Sequence, residues 1–160
     1  MKISDRLLEK LAEMVVGDEV HFPYRSSSYI TLFFERCGLP FVHDGTTRPF
    51  WAKQRLMELN LGPCPAPDLP SKDLCRVITE LFDPYDFENF NDKLARQGVN
   101  DPAQYADIDK AIERLNTYLK RDGLEIYKAE NDRCYLKSKG TGTSTAGLAQ
   151  PDRPLSKDEI

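Results

Sequence analysis

The sequence predicts a mainly α-helical domain, winged-helix-like, that closes on a small β-hairpin. Three observations predict it. Apolar residues recur at helical spacing in successive stretches between Ser4 and Leu119. These stretches begin near Ser, Thr or Asp and end near Gly or Pro, the residues that start and stop helices. After Gly123 the apolar period drops to two, and two such runs flank Asn131-Asp132.

Taken in order, Ser4 can cap a first helix that carries Leu7, Leu8, Leu11, Met14 and Val15 on one side and ends at Gly17. Asp18 to Arg25 is a connector. Ser26 to Ser28 offer caps for a second helix with an Ile30, Phe33, Phe34, Cys37 stripe, closed by Gly38. Asp44-Gly45 marks a turn, and Thr46 or Thr47 caps a third helix with Pro49 in its first turn, where a missing N–H costs little. Ala52, Leu56 and Leu59 give that helix an inner face. Gly62 to Pro67 forbids regular structure. Ser71 caps a fourth helix with Leu74, Cys75, Ile78 and Leu81 inside, broken at Asp83-Pro84. Phe87, Phe90 and Leu94 suggest a short fifth helix ending at Gly98. The sixth is expected from Asp101 as cap and Pro102 at its first position, running on through Tyr105, Ile108, Ile112, Leu115 and Leu119. The runs Leu124–Lys128 and Arg133–Lys137 then pair around Asn131-Asp132, with Leu124, Ile126, Cys134 and Leu136 facing the helices, because a lone hairpin is marginal in water.

A chain of 160 residues with 40% hydrophobic content and sixteen aromatic side chains can build one real core. Its net charge of −4 argues against a general polyanion binder, although a local basic patch is compatible with it. Residues 1–17 contain Asp5, Glu9 and Glu13, so they read as an amphipathic helix rather than a signal peptide or a membrane span, and a cytoplasmic protein with no membrane partner is expected. Cys37, Cys64, Cys75 and Cys134 include no C-x-x-C pair, and the spacing of His21, Cys37 and His43 fits no common metal knuckle. Buried free thiols are the expectation, with no metal and no cofactor.

The expected organisation is a helical domain over residues 1–139, a flexible Gly/Ser/Thr/Ala/Pro linker over 140–155, and the start of a following domain over 156–160. Ser156 and Glu159 have the spacing of a capping box, which normally opens a helix.

Arg25 to Trp51 is the segment best equipped to bind a ligand. Gly45-Thr46-Thr47-Arg48 places hydroxyls and a guanidinium where a helix begins, an arrangement that can receive an anion, and His43 and Asp44 could add a proton-responsive pair. The alternative is structural: the threonines cap, Asp44-Gly45 turns the chain, Arg48 pairs with Asp44, and Trp51 fills the core. Arg25, Ser26, Ser27 and Ser28 carry the same two readings, phosphate cradle or helix cap. A secondary basic surface comprises Lys53 and Arg55 on the third helix with Lys128, Arg133 and Lys137 on the wing, a modest footprint for nucleic acid interspersed with acidic residues. There is no P-loop, G-x-S-x-G elbow or kinase signature. His21 and His43 are the candidate general bases, but no recognisable constellation surrounds them. Asp83, Asp86 and Glu88 read as a solvated loop, and no catalysis is expected of this domain.

The run Tyr24-Arg25-Ser26-Ser27-Ser28-Tyr29-Ile30-Thr31-Leu32-Phe33-Phe34, then Gly38, His43-Asp44-Gly45-Thr46-Thr47-Arg48 and Trp51, resembles an N-terminal domain of bacterial AbiJ-type abortive-infection proteins. Ala111–Asn116 and Asp122–Ile126 resemble that domain's C-terminal end, so the likeness spans Met1 to about Lys139. A serine is more usual in the family where Thr46 stands, and the hydroxyl is kept. The resemblance implies a non-catalytic accessory module in anti-phage defence, joined to a C-terminal effector such as a nuclease. Two alternatives remain open: a winged-helix DNA- or RNA-binding module, and an oligomerisation or docking module. The expected partners are accordingly the effector domain, nucleic acid or a phage-derived ligand, and a second copy of the chain.

Overall fold

The computed structural model describes residues 1–147, and the capping-box residues Ser156 and Glu159 lie outside them. Six α-helices precede a two-stranded antiparallel sheet: α1 (Asp5–Val16), α2 (Ser27–Arg36), α3 (Arg48–Leu59), α4 (Lys72–Glu80), α5 (Pro84–Arg96), α6 (Ile108–Leu119), β1 (Leu124–Lys128) and β2 (Cys134–Ser138). The protein is thus a mainly helical domain ending in a hairpin. No helix among the described residues is long and apolar enough to cross a membrane.

α1 is the central helix. Ser4 Oγ accepts the Leu7 N–H at its start, and seven side chains from Leu7 to Val16 are buried, because α1 lies along α3 on one side and touches α6 on the other. Gly17 ends it with φ +82°, and the returning chain passes so close that a Cβ there would lie 2.3 Å from the Pro23 carbonyl oxygen. The tight return lets the Arg25 N–H reach the Val16 carbonyl at 3.0 Å, which sets where α2 begins. Phe33 and Phe34 of α2 are fully buried, and each such ring contributes about 1.5–3 kcal/mol of burial free energy. α4 packs on α2, α3 and β2.

Three asparagines join elements by the same device, an amide side chain that bonds both the N–H and the C=O of one distant residue. Asn60 holds Ile3 at 3.0 and 3.2 Å, Asn91 holds Ala106 at 2.9 Å in both directions, and Asn116 holds Ile126 at 2.7 and 2.9 Å. The second explains a departure from the sequence expectation. Asp101–Gln104 forms only a separate 3₁₀ turn, and α6 starts later, capped by Asp107, whose Oδ1 accepts from Asp109 and Lys110. Asn91 ties both backbone groups of Ala106, so a helix begun at Pro102 cannot run through it. Tyr105 instead turns back to donate its hydroxyl to the Val99 carbonyl. The fifth helix is not short: Asp83 caps it with Pro84 at its first position, and at 13 residues it is the longest of the described helices.

The hairpin pairs Leu124 with Ser138 and Lys128 with Cys134, and its inward residues Leu124, Ile126, Cys134 and Leu136 are buried. Its turn is longer than a two-residue type: the Asp132 N–H bonds Ala129 O at 3.0 Å, and Asp132 takes φ +64°. Residues 140–147, expected as the beginning of a flexible linker, instead lie along β2. The Ser138 N–H donates to Thr143 O at 2.8 Å, the Leu136 N–H to Thr145 Oγ1 at 3.0 Å, and Ser144 bridges Lys137. Asn116 occupies the outer edge of β1 in the same way. Both edges of this small sheet are therefore covered.

Cys37, Cys75 and Cys134 are buried as expected, whereas Cys64 is exposed. Burial pushes the thiols of Cys37 and Cys134 up, and that of Cys75 up to about 12. Asp86 also departs from expectation: it is largely buried, an ion-pair acceptor rather than part of a solvated loop.

Candidate functional site

The predicted segment assembles where the connector after α1, the start of α2 and the loop 37–47 meet the start of α3. His43 is the hub. Its backbone N–H donates to Thr31 Oγ1 at 2.9 Å, its Nε2 meets the Thr46 carbonyl at 2.8 Å, and its Nδ1 lies 2.5 Å from Ser27 Oγ. The ring is buried and stands edge-on to Trp51 at 5.0 Å, while Trp51 packs on Phe34 and Phe41. The alternating pattern of the loop accounts for this: Phe41 and His43 turn inward, while Val42 and Asp44 are exposed.

Asp44 folds the loop tip back. Its Oδ1 accepts from the Thr46 N–H at 3.0 Å and from the Thr46 hydroxyl at 2.6 Å, and these bonds hold its carboxyl below the usual carboxylate range. Thr47 stands at the N-cap of α3 without a side-chain cap bond, as Ser26 does at α2. Ser26 and Ser28 face each other at 3.3 Å between hydroxyl oxygens, so of the three serines only Ser27 turns to the histidine.

The three arginines of the segment are engaged within the fold. Arg25 is 3% exposed; its guanidinium donates to Val15 O and to Asp86, both at 2.9 Å, and lies 4.5 Å over the Phe33 ring. Desolvation by burial lowers its pKa from the ordinary value, against the pull of Asp86. Arg36 shares the same carboxylate at 3.0 Å; desolvation works against its charge, and Asp86 with Glu80 and Asp83 more than compensates, so its pKa is raised. Arg48 donates through Nε to Arg25 O at 3.2 Å and through Nη2 to Val16 O at 2.9 Å and Asp18 at 3.0 Å, while stacking over Tyr24 at 4.4 Å. It does not pair with Asp44. Arg25 and Arg48 thus fasten the connector, and the outward face of the site is left to Asp44, Thr46, Thr47, the serines and the exposed rings of Tyr29 and Phe50.

The secondary basic residues do not converge on this site. Lys53 pairs with Asp5 at 3.3 Å, Arg55 with Glu58 at 3.2 Å, Lys128 with Asp109 at 3.5 Å and Lys137 with Glu125 at 3.8 Å. Arg133 is exposed near the hairpin turn. His21 sits apart at φ +75°, accepting the Asp107 N–H on its carbonyl. Among the described residues no group of three or more His, Cys, Asp or Glu is placed to hold a metal ion. Sequence reasoning joined Ser26–Ser28 and His43–Trp51 in one candidate surface but did not foresee the direct Ser27–His43 bond; the one available signal was that the loop pattern directs His43 inward, back toward α2.

No family model, curated protein or solved structure matches the chain.

Proposed function

We propose that this domain is a cytoplasmic sensor or regulatory module of a bacterial anti-phage protein, of the kind the AbiJ resemblance implies, and that it controls an effector domain such as a nuclease by binding a protein or small ligand at the site around His43. The observation that carries the reading is the convergence of the two blocks of that resemblance. Ser27 and His43 bond each other at 2.5 Å, and Arg48 bonds the Arg25 carbonyl at 3.2 Å. Around this rigid base stand Tyr24, Tyr29, Leu32, Val42, Phe50 and Tyr85, large apolar side chains left at least 40% exposed. Tyr29 and Leu32 lie one helical turn apart on α2, and Tyr85 adjoins the Asp86 that Arg25 and Arg36 hold. Aromatic side chains left in water are characteristic of protein contact surfaces. A nucleic-acid role is less well supported, since Lys53, Arg55, Lys128 and Lys137 each already have a carboxylate partner.

Tyr29→Ala combined with Phe50→Ser tests the reading in the natural gene, because both residues are exposed and neither carries a structural bond described above. The expected result is loss of phage protection in a plating assay with unchanged thermal stability of the purified domain. Full protection in that double variant would remove this surface from the proposal. A substitution at Arg48 is a poorer test, since it also unfastens Val16 and Arg25.

A further inference from the structure

The Ser27–His43 contact has a polarity that loop fastening alone does not require. The Thr46 carbonyl can only accept, so at 2.8 Å it fixes the ring proton of a neutral His43 on Nε2. Nδ1 then carries a lone pair, and the Ser27 hydroxyl, 2.5 Å away, is its donor. A hydroxyl donating to an imidazole whose other nitrogen is oriented by a third group is the arrangement that activates a serine for attack. His43 is 9% exposed and backed by Trp51, which restricts ring rotation. Ser27 is half-buried, and the exposed side chains of Tyr29 and Val42 adjoin the pair in sequence.

We propose that Ser27 is a nucleophile with His43 as its general base, and that the site takes an activated acyl or phosphoryl compound. Ser27 Oγ bonds to the carbonyl carbon or phosphorus as its proton passes to His43 Nδ1. The bond to the leaving group breaks, and that group departs with the electron pair and takes the proton from His43. The product is an ester of Ser27, formed without an oxidant or a metal. Ester formation removes the hydroxyl proton that Ser27 donates to Nδ1, so the adduct alters the fastening of the 41–47 loop to α2. This inference concerns the same site around His43 but does not depend on the proposed function, since labelling of the isolated chain tests it whatever the outcome of the phage-protection assay.

The purified chain is treated with diisopropyl fluorophosphate, in which Oγ–P forms, P–F breaks and fluoride leaves, and the adduct is mapped by peptide mass spectrometry. A single adduct is expected on Ser27, absent in Ser27→Ala, retained in Ser26→Ala and Ser28→Ala, and formed about 100-fold more slowly in His43→Gln. No adduct, equal labelling of all three serines, or an unchanged rate in His43→Gln overturns the proposal. Because His43→Gln could loosen the loop, Ser27→Cys gives a second reading in the otherwise intact chain. With His43 as base, iodoacetamide alkylates position 27 of that variant faster than the exposed Cys64 of the same molecule, and a slower or equal rate counts against the pair.

Discussion

The connector beside α2 and the hairpin beside α6 are each pinned by polar side chains, a buried charge in one and a half-buried amide in the other. At the connector the anchor is Arg25, a charge with 3% exposure whose partners are Val15 O and the Asp86 carboxylate. At the hairpin it is Asn116, neutral, whose amide meets the N–H and C=O of Ile126. A neutral amide against a peptide group costs little desolvation and specifies register. A buried charge depends on its counter-charge staying in place, and the same carboxylate also serves Arg36. The hairpin end is therefore built to be static, while the connector end rests on electrostatic contacts that a charged ligand or partner can disturb.

The most severe way to break this contrast is Asp86→Ala, which leaves Arg25 buried without its carboxylate. A loss of about 3–5 kcal/mol is expected in urea unfolding. Replacing Arg25 by Met in the same chain should recover part of it, because the uncompensated charge is then gone. At the neutral end, Asn116→Ala orphans the Ile126 N–H and C=O and should cost about 1–3 kcal/mol, with faster hydrogen exchange at Ile126. The loss at Asp86 should shrink modestly as ionic strength rises, because salt screens the pair only in part, whereas the loss at Asn116 should not change with it. Lys53→Ala sharpens the contrast from the other side. Its pair with Asp5, whose side chain is 72% exposed, should change stability by no more than about 1 kcal/mol, less still in high salt.

What was legible in the sequence was what is decided locally. Ser4 and Ser71 cap helices because a cap needs only the next two or three residues, and the period-two alternation of β1 and β2 marked the hairpin's inward face; Asp83-Pro84, read as the break of α4, is also the cap and first residue of α5. The start of α6 was misplaced because Asn91, 15 residues upstream of Ala106, overrides a good local signal at Asp101-Pro102. The engagement of Arg25 and Arg48 was hidden for the same reason, since their acidic partners lie 61 and 30 residues away. Composition marked 25–51 as the segment of interest, yet it could not say which side chains turn inward. A guanidinium and a hydroxyl look equally available for a ligand until burial is known. The linker boundary differs for another reason: Gly140 to Gly147 has the composition of a tether, yet the Thr143 carbonyl and the Thr145 hydroxyl accept from β2 and hold the segment along it.

That last arrangement governs how the molecule tolerates trimming. A chain cut after Lys139, at the boundary composition suggests, would lose Thr143 and Thr145 and leave the Leu136 and Ser138 N–H groups facing water along a bare strand. Bare strands recruit one another between molecules, so the shortened protein should pair through β2 with a second copy, and the sheet should stop there because Asn116 still covers the outer edge of β1. The eight residues that look dispensable act as a chaperone for the strand before them.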